Sequence, residues 1–251
     1  FCMRFYLKWM YEKKRPELVE LFIFVVCLWL VWNIKYYVFA VLFLILVAHA
    51  LHRVSMWIFP VLKEYKKSRV AAYFILLLML LFSAGWIHPN LSAQHLYTVV
   101  YDNYVTTHLL SNEHGVFHLN WFYEQSVWMF LDVPKALFYG LFGPLFGTNM
   151  NVLFYANVVE NLFLLTLTTL FLQFQIKNKW RNWSLEEMMV VSYIVFMALF
   201  MAFSTPNWGT LVRYKVAYLP LYVLLITANH PFFKRLDLYF FPETVQEEQN
   251  L

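Results

Sequence analysis

The chain has 251 residues, 61% hydrophobic and 21% aromatic but only 14% charged, whereas soluble domains are about 45–50% apolar and about 25% charged. With several long apolar runs, that balance excludes an ordinary soluble domain and a disordered chain, and the net charge of +4, held beside those runs, excludes a nucleic-acid surface. Two cysteines, Cys2 and Cys27, exclude a disulfide framework and a CxxC metal site.

The start at Phe1, without a cleavable-signal pattern, is that expected of a processed protein or a fragment. Residues 1–17 carry Arg4, Lys8, Lys13, Lys14 and Arg15 among aromatics and read as an interfacial helix ended by Pro16. Leu18 to Trp32 forms the first span, Asn33 to Lys35 a tight turn, and Tyr36 to Leu51 the second span. Residues 52–69 are basic (Arg53, Lys63, Lys66, Lys67, Arg69), and Val70 to Ile87 is the third span, stopped at His88-Pro89-Asn90.

Residues 88–121 are mixed, with one helix expected from Ala93 to Leu110. In residues 122–147, apolar stretches are interrupted by Glu124, Asp132, Pro134 and Lys135. Spans follow from Asn151 to Gln175, Met188 to Ser204 and Leu211 to Ala228, and residues 230–251 form an acidic tail.

Positive charge decides the interrupted piece. From Trp86 to Asn120 there is no Lys or Arg, although five histidines, Asp102 and Glu113 lie there. If residues 122–147 turn back without crossing, Lys177, Lys179, Arg181, Lys234 and Arg235 join the other basic clusters on one side, as the positive-inside bias requires. The expected fold is therefore an all-α polytopic membrane protein. It has about six transmembrane helices, both termini cytoplasmic, and interfacial or re-entrant helices on the outer face. Residues 1–251 form one membrane domain: 1–17 interfacial, 18–87 three spans, 88–150 an outer cap, 151–229 three spans, and 230–251 a tail.

Four cations escape the cytoplasmic pattern: Lys35, Lys135, Arg213 and Lys215. An Arg deep in lipid costs at least about 2.5–3.5 kcal/mol on insertion scales, so Arg213 should face an interior or snorkel. Arg grips phosphate through two parallel hydrogen bonds, and a lipid-linked pyrophosphate is a fitting ligand for Arg213 and Lys215. Glu160 lies well inside the fourth span, near Asn157 and Asn161; it is either an interhelical ion-pair partner or a catalytic acid or base. His114 and His118 are four apart, which permits a metal site with Asp102 or Glu113, but Gly115 weakens that helix and there is no HExxH. No metal and no cofactor is expected. Tyr97, Tyr101 and Tyr104 have helical spacing and read as a head-group belt.

The run from Pro134 to Pro144, then Val159-Glu160-Asn161-Leu162, then Ser204 to Lys215, resembles a group of bacterial envelope proteins of Bacteroidetes type that are similar to O-antigen polymerase-like polysaccharide proteins. The stretch from Asn207 to Tyr214 carries most of the likeness, which covers roughly residues 130–220. Where that group tends to have Arg-Pro, this chain has Gly143-Pro144, and the chain is shorter than such polymerases, which favours a truncated or non-catalytic relative.

The resemblance implies a multi-pass protein of the bacterial inner membrane and polysaccharide assembly on lipid-linked sugars. Arg213, Lys215, Tyr214, Asn207 and Lys135 would bind substrate, and Glu160 or His114 would move protons. The competing reading is a non-enzymatic subunit of a larger secretion, motility or respiratory membrane complex. The partners expected are membrane lipids, a lipid-linked glycan or other membrane subunits, and no nucleic acid.

Overall fold

The computed structural model describes residues 18–59, 66–87, 92–111, 115–119, 129–145, 152–177 and 183–228. Among these residues every regular element is a helix: α1 (Leu18–Ile34), α2 (Tyr36–Ile58), α3 (Lys66–Ile87), α4 (Ala93–Leu110), α5 (Met129–Phe142), α6 (Val152–Lys177), α7 (Leu185–Ser204), α8 (Trp208–Lys215) and α9 (Leu219–Thr227). The chain divides into two compact units, one of Phe1–Asp102 with Ser184–Met197, the other of Asn103–Trp183 with Ala198–Leu251.

Helix lies in each of the six expected spans, but the sixth is broken at residues 216–218 and the spans differ in reach. Helices α2, α6 and α7 are long and apolar enough to cross a membrane. Helices α8 and α9 make a fourth only if counted together, since they are bent by 61°. Helix α1 and the Arg69–Ser83 part of α3 are apolar but shorter. Helix α5 has 14 residues, about 21 Å of helix at 1.5 Å per residue, which by itself is less than a hydrocarbon core of about 30 Å.

Local chemistry sets the ends. The α1–α2 break falls at Lys35, and Asn33 Nδ2 donates to Trp29 O at 2.8 Å to close the last turn of α1. Helix α7 opens with a reciprocal capping box: Ser184 N donates to Glu187 Oε2 at 2.7 Å, and Glu187 N to Ser184 Oγ at 3.2 Å. Asn207 caps α8, its Oδ1 accepting from Thr210 N at 3.1 Å. The α8–α9 bend precedes Pro220, which has no N–H to carry a continuous ladder and fits the first turn of α9.

In the first unit, α2 packs on α1 and α3, burying Ile45, Leu46, Ala48, Tyr73 and Leu77, and Met189 and Tyr193 of α7 are buried too. In the second, α5 packs on α6 and α8, and α9 on α6. A Cβ on Gly140 would sit 2.5 Å from Ala198 O, so only glycine permits that backbone approach.

Candidate functional site

The site grows from the C-terminal end of α5. The last carbonyls of a helix have no intrahelical partner, and in an apolar interior each must find one. Tyr139 O accepts from Gly143 N at 2.9 Å, but the partners of Gly140 O, Leu141 O and the two carbonyls just past the helix come from far along the chain. Tyr218 Oη donates to Gly140 O at 2.6 Å. Lys215 Nζ donates to Leu141 O at 3.1 Å, to Gly143 O at 2.5 Å and to Asn161 Oδ1 at 2.8 Å. Asn161 Nδ2 completes the set by donating to Pro144 O at 3.0 Å.

An ammonium has three donors, and Lys215, only 3% exposed, has three acceptors. Its positive charge also faces the negative end of the α5 dipole. Thus the three runs that carry the resemblance, around Pro134–Pro144, Glu160–Asn161 and Asn207–Lys215, meet in one buried node.

An aromatic group covers the node. Trp208 lies with its ring centroid 4.4 Å from Phe117 and 5.2 Å from Tyr139, and Phe117 lies 5.1 Å from Tyr139. A Cβ on Gly143 would come 2.1 Å from the Trp208 ring, so glycine there lets the indole seat. The 205–207 connection joins the 111–119 segment: Phe117 N donates to Pro206 O at 2.9 Å, and Asn207 Nδ2 to Ser111 Oγ at 2.9 Å. Val116 and Asn207 form an isolated antiparallel bridge.

The candidate residues separate accordingly. Lys215 and Asn207 are within this node and its cover, and Lys135 Nζ lies 5.8 Å over the Tyr139 ring. Arg213 is exposed, because residues two apart on a helix point to different sides. It therefore does not share a site with Lys215, as a joint grip on pyrophosphate requires. Tyr214 is half-buried. Glu160 is exposed on α6, within electrostatic reach of Lys215, but its neighbour Asn161 makes the hydrogen bond. His114 and Glu113 lie outside the described residues.

Residues 115–119 meet α4, where His108 Nε2 and His118 Nδ1 are 3.4 Å apart and Leu119 N donates to Tyr104 Oη at 3.3 Å. Among the described residues, no three His, Cys, Asp or Glu side chains are grouped to hold a metal ion. Lys35 lies 5.7 Å over the Tyr37 ring, and burial lowers its ammonium below the usual range.

Two groups escaped sequence reasoning. Asn161 stood beside Glu160 in the same run, and an amide in an apolar helix was its signal. His49 and His52 on α2 are both fully buried, and their three-residue spacing inside an apolar run was theirs.

No family model, no curated protein and no solved structure matches this chain. The described residues by themselves therefore define the class: all-helical, with three, or up to four, helices long and apolar enough to cross a membrane.

Proposed function

We propose that this protein is a non-enzymatic subunit of a larger assembly in the bacterial cell envelope, carried in the inner membrane by about six spans with both termini cytoplasmic. The observation that carries this reading is α6. Only 11% of its apolar window is buried, against 39% in α2 and 56% in α7. It also exposes Glu160 at the ninth of its 26 positions. An ionisable side chain at membrane depth seeks a protein partner or a wet cavity, and a neighbouring subunit on α6 supplies one. The node supports the same reading, because Lys215 spends every donor on its own fold.

Purification in mild detergent tests this. Stable membrane partners are expected to copurify with the wild type and to be lost from Glu160→Leu while the chain stays folded. A chain that purifies alone, unchanged by that substitution, rejects the proposal. Cysteine labelling at position 112 from outside and at position 184 only from the cytoplasm checks the orientation.

A second reading, polysaccharide assembly on lipid-linked sugars, is favoured by one observation: Arg213 is exposed on α8, near the Asn207 cap, where its guanidinium is open to a phosphate. Loss of glycan chain extension in Arg213→Ala, with folded protein retained, would put this reading first.

A further inference from the structure

We infer that the second unit holds a zinc site whose protein ligands are two imidazoles, those of His108 and His118. His108 lies in the last turn of α4, and His118 follows ten positions later, in the 115–119 segment. Four-residue spacing pairs His118 with His114, whereas the fold brings it to His108.

The two facing nitrogens, His108 Nε2 and His118 Nδ1, stand 3.4 Å apart, with ring centroids 5.3 Å apart and planes at 53°. A tetrahedral zinc ion holds imidazole nitrogens at about 2.0–2.1 Å, which sets two of its ligands about 3.3–3.4 Å apart. Ligands at right angles, as in square-planar or octahedral sites, would stand only about 2.9 Å apart at the same bond length. Ordinary N–H···O hydrogen bonds run at about 2.7–3.2 Å, so the observed spacing is long for a shared proton. A neutral imidazole donates from one nitrogen and accepts at the other. Once the donating ring moves its proton to its far nitrogen, both facing lone pairs are open to the metal. Both ligands stay neutral and no proton is released.

Both rings are set by the fold. His108 stacks on Tyr104, with centroids 6.2 Å apart and planes at 26°, and Tyr104 is fully buried. His118 stands exposed between Phe117 and Leu119, which are buried. Leu119 N donates to Tyr104 Oη at 3.3 Å and Phe117 N to Pro206 O at 2.9 Å, so the backbone is tied on either side of His118. His108 is half-buried, and with His118 exposed the two remaining corners of the tetrahedron are left to water or an incoming oxygen ligand. The stretch from Trp86 to Asn120 has no Lys or Arg, so it sets no fixed positive charge of its own against a divalent cation. Bound zinc clips the last turn of α4 to the segment whose Phe117 covers the Lys215 node.

The test uses the full chain, free of any polyhistidine tag, in phosphatidylcholine nanodiscs, stripped with EDTA and titrated with zinc chloride. Calorimetry reads stoichiometry and affinity, and thermal unfolding reads the gain in stability. One zinc ion per chain is expected to bind and to raise the unfolding midpoint, because an ion held only by the folded state stabilises it. His108→Gln and His118→Gln should each weaken zinc affinity about tenfold or more, at least the cost of losing a supporting group at a metal site. His95→Gln, which alters an exposed histidine near the start of α4, should leave the affinity intact. His118 is exposed, so His118→Gln should unfold like the wild type in EDTA, which separates lost ligation from lost folding. No zinc binding by the wild type, or an affinity unchanged in either His108→Gln or His118→Gln, overturns the inference. The outcome is independent of whether α6 binds a partner subunit.

Discussion

Each unit buries nitrogen-bearing side chains in an apolar interior, but it does so differently. In the second, the Lys215 ammonium meets three acceptors, and Asn161 bridges it to Pro144 O. In the first, His52 is just as buried, and its ring is held by the backbone at Arg69 and the edge of the Tyr73 ring. A lysine that meets an acceptor with each donor is locked by its polar bonds, whereas a buried imidazole between two helices is held as much by packing. Residue type alone would have ranked the two the other way, because a lysine looks more like a ligand holder than a histidine does.

The largest effect is expected at Lys215. Lys215→Met keeps the length of the side chain but strands Leu141 O, Gly143 O and Asn161 Oδ1. It should cost about 3–5 kcal/mol in unfolding measured in micelles, the range for removing one member of a buried charged network. The comparison sharpens in a double-mutant cycle with Asn161→Leu, where the two losses should be far from additive because they share a bond. Additive losses would show that the node does not act as a unit.

Gly143→Ala comes next. The new methyl meets the Trp208 ring, and overpacking of this kind costs about 1–3 kcal/mol. Ser184→Ala removes one half of the α7 capping box and should cost about 1 kcal/mol by the same measurement.

His52→Leu is the opposite arm of the comparison. It removes an imidazole bonded to the backbone at Arg69 but keeps much of the packing against Tyr73, so unfolding should change by about 1 kcal/mol, the typical net worth of one neutral hydrogen bond. A loss as large as that of Lys215→Met would erase the difference between the two units. Arg213→Ala, on an exposed face, should leave unfolding unchanged.

Hydropathy and charge, read along the chain, determined the helices. The stretch from Ala93 to Leu110 is helical with the expected bounds, and five of the expected spans each fall on one helix, while the sixth is broken between α8 and α9. This was legible because apolar length and stop residues such as Pro89 are local properties. The separation of Arg213 from Lys215 was legible in principle too, since two positions on a helix turn a side chain to another side.

Tertiary structure alone decided what the polar residues do. Lys215 finds its acceptors 54, 72 and 74 positions away, and two of the three are backbone carbonyls, which carry no residue-specific mark in a sequence. The same holds for His52 and Tyr73, which meet only because α2 and α3 pack side by side. A backbone carbonyl left open by a helix end, or a contact between side chains of two packed helices, exists only once the chain has folded around it.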